Sequence, residues 1–209
     1  MLNKFLSAVM AAFYVALGAI CFLIIPNPIV ASCFFAVGIL LVINFHNFLL
    51  TRVVPLSVYS KDKDYNALDI FITILGNIAG SGIAGILISL TRSANAISDK
   101  LNTVVNARLN DNYLSIFILA ILCGMMVAYS CLAVKKHGNN SFAGIFYCWL
   151  FISAFVFCGY EHVVADVFFF VTYSVLFEFK LSLLLILLIV LIGNMIGGFL
   201  SGFLEKKRS

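Results

Sequence analysis

The sequence predicts an all-α, polytopic membrane protein of six transmembrane helices arranged as two inverted three-helix repeats. Three observations carry this. Hydrophobic residues make up 63% of the 209-residue chain and charged residues only 11%, whereas a soluble domain carries roughly 25% charged residues. The apolar residues fall in long blocks, and with about 20 residues needed per span the chain has room for six crossings and short connections. Finally, residues 76–87 read GNIAGSGIAGIL and residues 193–204 read GNMIGGFLSGFL. These stretches lie in the third and sixth spans, an odd and an even crossing, so the two halves have opposite topology.

The elements follow in order. The first span covers about residues 5–25 and stops at Pro26-Asn27-Pro28, which cannot continue a helix. Its apolar run outlasts a signal peptide's and shows no convincing cleavage site, so it is read as a retained span. The second runs from about Ile29 to Leu50 and is followed by a loop holding Pro55 and Lys61-Asp62-Lys63-Asp64. The third is about 66–91. A polar stretch, 92–112, reads as the longest loop. The fourth span, about 113–134, ends at the basic run Lys135-Lys136-His137. The next apolar segment, about 141–177, is too long for one simple crossing, and the sixth span is about 181–204. The whole is one domain, 1–209, with repeat 1 at about 5–91 and repeat 2 at about 113–204. Small residues at Gly80, Gly82 and Gly85, and at Gly197, Gly198 and Gly202, allow close helix contact.

Basic residues set the orientation. With the N-terminus in the cytoplasm, nine Lys and Arg fall inside (Lys4, Arg52, Lys61, Lys63, Lys135, Lys136, Lys206, Lys207, Arg208) and four outside (Arg92, Lys100, Arg108, Lys180). That bias places both termini in the cytoplasm. The formal charge of +4 comes with no basic patch, which excludes a nucleic-acid partner. All six cysteines lie in apolar blocks without a CxxC pair and read as packing residues. No P-loop, GxSxG, HExxH or strand-borne GxGxxG is present, so no enzyme activity, metal or cofactor is expected.

Ionisable groups inside spans are rare and mark function. Three stand out, Glu161, His162 and Asp166, on GYEHVVADVF in the long fifth segment. His162 and Asp166 are four apart and share a helix face; Glu161 and His162 do not. Their position beside Gly159 fits a helix interrupted near mid-membrane, where freed backbone groups need protein partners or a cavity. A histidine there is suited to donate a proton or hydrogen bond along a path, and Glu161 to cap a helix end. Asn77 and Asn194, matched in the two Gly-Asn motifs, are expected near the break. His46 reads as interfacial and His137 as a solvated loop residue. Trp149 and Phe168-Phe169-Phe170 read as packing or lipid contact.

The stretch Phe155–Phe168, FVFCGYEHVVADVF, resembles the F-V-x-x-G-F-E-H-S-x-A-N-M-F signature of the formate/nitrite transporter family. Leu191–Gly198 is similar to that family's last-span L-G-N-I-x-G-G, Gly76–Gly80 to its G-N-L-x-G, and Leu49-Leu50-Thr51 to the L-F-T of the loop that breaks its second helix. The resemblance implies an aquaporin-like fold with helices 2 and 5 interrupted, five protomers each with its own pore, and a small monovalent weak-acid anion (formate, nitrite, hydrosulfide or similar) and protons as partners. It makes His162 the central histidine and Thr51 its loop threonine. Phe155, Phe35 and Ile39 become apolar constrictions. Gly144 stands where the family usually has a lysine, Asp166 where it has an asparagine, and the proline ahead of the last Gly-Asn is missing. An ionised, pore-facing Asp166 would repel an anion. Those departures keep three alternatives in view: an aquaporin-like conduit for neutral solutes, a membrane-embedded enzyme, and a structural subunit.

Overall fold

The computed structural model describes residues 1–60, 65–138 and 141–208. Within them the regular structure is helical: α1 (Leu2–Ile24), α2 (Pro28–Asn44), α3 (Leu50–Tyr59), α4 (Ala67–Ser89), α5 (Ser93–Leu109), α6 (Tyr113–His137), α7 (Phe142–Phe157), α8 (Val163–Leu176) and α9 (Leu181–Arg208). Four of these, α1, α4, α6 and α9, are long and apolar enough to cross a bilayer; α2, α7 and α8 are shorter apolar helices. Leu17, Phe71, Leu114 and Leu188 point outward, a surface suited to lipid and not to water. This is a multi-pass membrane protein.

Helix starts follow from local chemistry. Asn27 accepts from Ile29 N and Val30 N, with Pro28 at the first helical position. Asn66 and Asp69 form a reciprocal capping box on α4, and Asn112 caps α6. Asp69 is also paired with Lys4, which ties the start of α1 to the start of α4.

Two tight pairs organise the core: α1 against α4, and α6 against α9. Backbone approach at these crossings depends on glycine. A Cβ at Gly80 would overlap Val9 O of α1, and one at Gly197 would overlap Ile121 O of α6. Around these pairs, α2 packs on α1 and α7, while α3 lies on α9 and α8 on α4.

Three sequence expectations are corrected. Residues 92–112 are not a loop: Ser93–Leu109 form α5, because Ala94, Ile97, Leu101 and Val105 recur at helical spacing and bury one face of an otherwise polar segment. Lys100, on α5, donates to the carbonyls of Phe22 and Ile25 at the end of α1 and lies over the Phe22 ring; burial pushes its ammonium below the ordinary lysine range. The second correction concerns Pro55, which lies inside helix α3 and not in a loop. In the third, His137 ends α6 and stacks on Tyr147, with ring centroids 5.9 Å apart. Phe168, Phe169 and Phe170 are buried core. Among the cysteines Cys123, Cys131 and Cys148 are buried and Cys158 is exposed. Lys61 and Lys63, used above for orientation, lie outside the described residues.

Candidate functional site

Two non-helical segments, 45–49 and 158–162, separate α2 from α3 and α7 from α8, and the chain leaves α2 and α7 in the same way. At the end of α7, Gly159 N donates to Val156 O and Tyr160 N to Phe155 O, with Gly159 at φ +70°. At the end of α2, His46 N donates to Ile43 O and Asn47 N to Val42 O, with His46 at φ +55°. Both are left-handed C-terminal caps, so His46 is the cap residue at the break after α2.

The asparagines of the two Gly-Asn motifs satisfy the backbone that these segments leave open. Asn77 Oδ1 accepts from Leu50 N at 2.9 Å, and its Nδ2 donates to Ala8 O and Phe48 O. Asn194 Oδ1 accepts from Val163 N at 2.9 Å, and its Nδ2 donates to Ala120 O and Glu161 O. Each amide therefore joins the start of a helix, the residue two before that start, and a neighbouring helix. Both side chains are buried, where an unmade bond would cost about 1–3 kcal/mol.

His162 is the N-cap of α8, a role expected of Glu161. Its Nδ1 accepts from Ala165 N at 3.4 Å, and its Nε2 lies 3.1 Å from Thr51 Oγ1. With Nδ1 accepting, the neutral ring carries its proton on Nε2 and donates it to Thr51. Both residues are buried. Thr51 sits in the first turn of α3, so the two residues bring together the helix starts that follow the two breaks in the chain.

Above His162 lies a cavity of about 350 Å³. Its lining includes His162, Phe155, Phe35, Phe22, Glu161 and Asp166. The Phe155 ring lies 5.8 Å from the imidazole and meets Phe35 edge to face at 5.9 Å. A second cavity, about 190 Å³, is lined by Ile43, His46, Arg52, Leu56, Tyr65, Cys131, Val134 and Lys135. Phe35, Ile39 and Ile43 fall on one face of α2 at four-residue spacing. Phe35 borders the first cavity and Ile43 the second; Ile39, between them, is fully buried and lines neither.

Two residues escaped the sequence reading. Arg108, counted there as a loop cation, is half-buried, with its side chain 13% exposed, and reaches from α5 to Glu161 Oε2 at 2.6 Å and Asp166 Oδ1 at 3.2 Å. The signal that could have found it was the pair of carboxylates in a span, which demand a cation. Arg52, also counted among loop residues, is buried, and its Nη1 donates to Asn47 O, His46 O and Tyr65 Oη.

Residues 1–204 match the profile of the formate/nitrite transporter family. The chain belongs to the formate/nitrite transporter family. The nitrite transporter NirC of Salmonella typhimurium is 28% identical over 183 residues, covering 79% of this chain and 66% of that relative. The chain thus spans just under two thirds of that protein's length. Among solved structures, a pentameric formate channel with formate bound superposes with a TM-score of 0.80 at 16% identity, covering 95% of this chain and 93% of that one. A second, an FNT family ion channel, gives 0.74 at 24% identity, covering 98% and 87%. At these identities the superpositions establish the fold. Two of the departures from the formate/nitrite transporter signature now have a setting. A Cβ at Gly144 would meet Gly138 O at 3.0 Å and Val134 Cα at 3.3 Å, so a side chain there requires the end of α6 to give by a few tenths of an ångström. Asp166 is held by Arg108 instead of standing alone.

Proposed function

We propose that the chain is a membrane channel for a small monovalent weak-acid anion, of the size of formate, nitrite or hydrosulfide, and that the anion crosses with a proton. The observation that carries this reading is the position of His162. It caps α8 at the break, borders the 350 Å³ cavity beside Phe35 and Phe155, and contacts Thr51 from the other half of the chain. An anion in that cavity loses hydration against aromatic walls, which disfavours a bare charge. The chain from His162 Nε2–H to the Thr51 hydroxyl offers it a polarised donor, and a proton taken up there lets a neutral acid pass the Ile39 level.

The six crossings are α1, α2 with α3, α4, α6, α7 with α8, and α9, in one domain. The two halves make the same contacts in this reading: α1·α4 answers α6·α9, α1·α2 answers α6·α7, and α4·α8 answers α9·α3. The Asn77 and Asn194 bonds obey the same correspondence, which supports inverted repeats with the second and fifth spans interrupted. By likeness to the pentameric formate channel the assembly is a homopentamer with one pore per protomer, and the basic bias puts both termini in the cytoplasm. Arg108 answers the objection that Asp166 would repel an anion, so the neutral-solute conduit is the weaker reading.

Purified protein in liposomes separates the two. The anion reading predicts formate or nitrite uptake down a gradient, with external alkalinisation as protons are consumed, and no glycerol flux above empty vesicles. Glycerol flux without anion flux would establish the conduit instead.

A further inference from the structure

We infer that Glu161 and Asp166 form a proton-binding site of their own, in which the two carboxyls hold one proton between them under Arg108. Asp166 is fully buried and Glu161 is 5% exposed. Among the described residues the cation reaching them is Arg108, one Nη1–H of which donates to Val104 O at 2.9 Å. Its Nε carries a single N–H, which hydrogen-bonds Asp166 Oδ1 and lies against Glu161 Oε2 without a hydrogen bond to it. Among the described residues, Glu161 Oε2 and Asp166 Oδ2 accept no hydrogen bond, although both carboxyls crowd onto the same Arg108 Nε, at 2.6 Å and 3.2 Å. Two ionised carboxylates are acceptors only and repel at that separation. A proton on one turns it into a donor for the other, the arrangement that paired acids adopt when both cannot ionise.

Charge counting leads to the same place. Two carboxylates against one guanidinium leave a net negative charge in a buried site, which desolvation disfavours; one shared proton brings the cluster to zero. Among the described residues, the neighbouring titratable groups offer no second cation. Asp111, at the end of α5, is an acid already bonded to Ser115 Oγ; Cys123 of α6 is a buried thiol; His162 is committed to Thr51 and Ala165 N; and Lys100 is spent on the α1 carbonyls. The consequence for transport, which rests on the anion-channel reading, is that an anion reaching His162 passes an uncharged cluster.

Infrared spectroscopy on the full chain in lipid tests this without measuring flux, so it succeeds or fails separately from that reading. At neutral pH the wild type is expected to show the C=O stretch of one protonated carboxyl per chain, shifted in deuterium oxide. Because the proton exists only through the pairing, the band is lost completely in both Asp166→Asn and Glu161→Gln, where the remaining carboxylate faces Arg108 alone. The other buried carboxyl among the described residues, Asp69, is paired with Lys4 and contributes none. Absence of the band from wild type overturns the proposal, and so does its survival in either variant. Should a variant fail to assemble, wild type with aspartate or glutamate carboxyls labelled with carbon-13 decides: the label on the protonated partner moves the band if the pair holds the proton, and a band that neither label moves overturns the proposal.

Discussion

His162 and the two asparagines show how single side chains replace backbone order that the breaks remove. Asn77 and Asn194 each make three hydrogen bonds from a buried amide. Asn77→Ala and Asn194→Ala are each expected to destabilise the protein by about 3 kcal/mol or more, since several buried partners lose their bonds at once; thermal unfolding in detergent reads this as a lowered midpoint. Asn194→Ala also frees Val163 N, next to the His162 cap. At this scale the sequence was partly legible. Asn77, Asn194 and the Glu161–His162–Asp166 group stand out because polar residues are costly inside spans. Arg108 was hidden, since an arginine in a polar stretch reads as solvated until the fold turns it inward, and Arg52 because it follows the end of the second span and reads as a loop residue.

At the scale of elements, the helix ends decide the site's geometry. Gly159 holds the left-handed position that turns the chain out of α7 and into His162. Gly159→Ala adds no clash, because open space surrounds the position, yet it imposes the left-handed backbone on an L side chain at a cost of about 1–2 kcal/mol. The expected result is a lowered unfolding midpoint and reduced transport together, since the cap displaces His162. The sequence showed this element's boundary through Gly159, whereas at the matching place in the first half His46 takes the left-handed position and gave no such signal. The helix α5 was misread for a different reason: its apolar positions are few and its remaining residues polar, so composition pointed to a loop while four buried side chains at helical spacing specify a helix.

For the whole molecule, the paired packing of α1 on α4 and α6 on α9 was foreshadowed by the two Gly-Asn motifs, and the odd and even places of those motifs underlie the proposal of oppositely directed halves. Orientation is checkable with a cysteine placed at Lys206 in a cysteine-free background: a membrane-impermeant thiol reagent is expected to label it only after the membrane is opened, and labelling of intact cells would reverse the assignment. The most direct test of the channel reading is anion uptake by liposomes holding wild type or His162→Ala, followed as external pH is lowered. Wild-type uptake is predicted to rise as pH falls, because each crossing anion takes a proton. His162→Ala is predicted to lose at least about tenfold in rate, equivalent to about 1.4 kcal/mol of barrier, and to lose that rise. Uptake by His162→Ala that matches wild type in rate and in pH dependence would contradict the account.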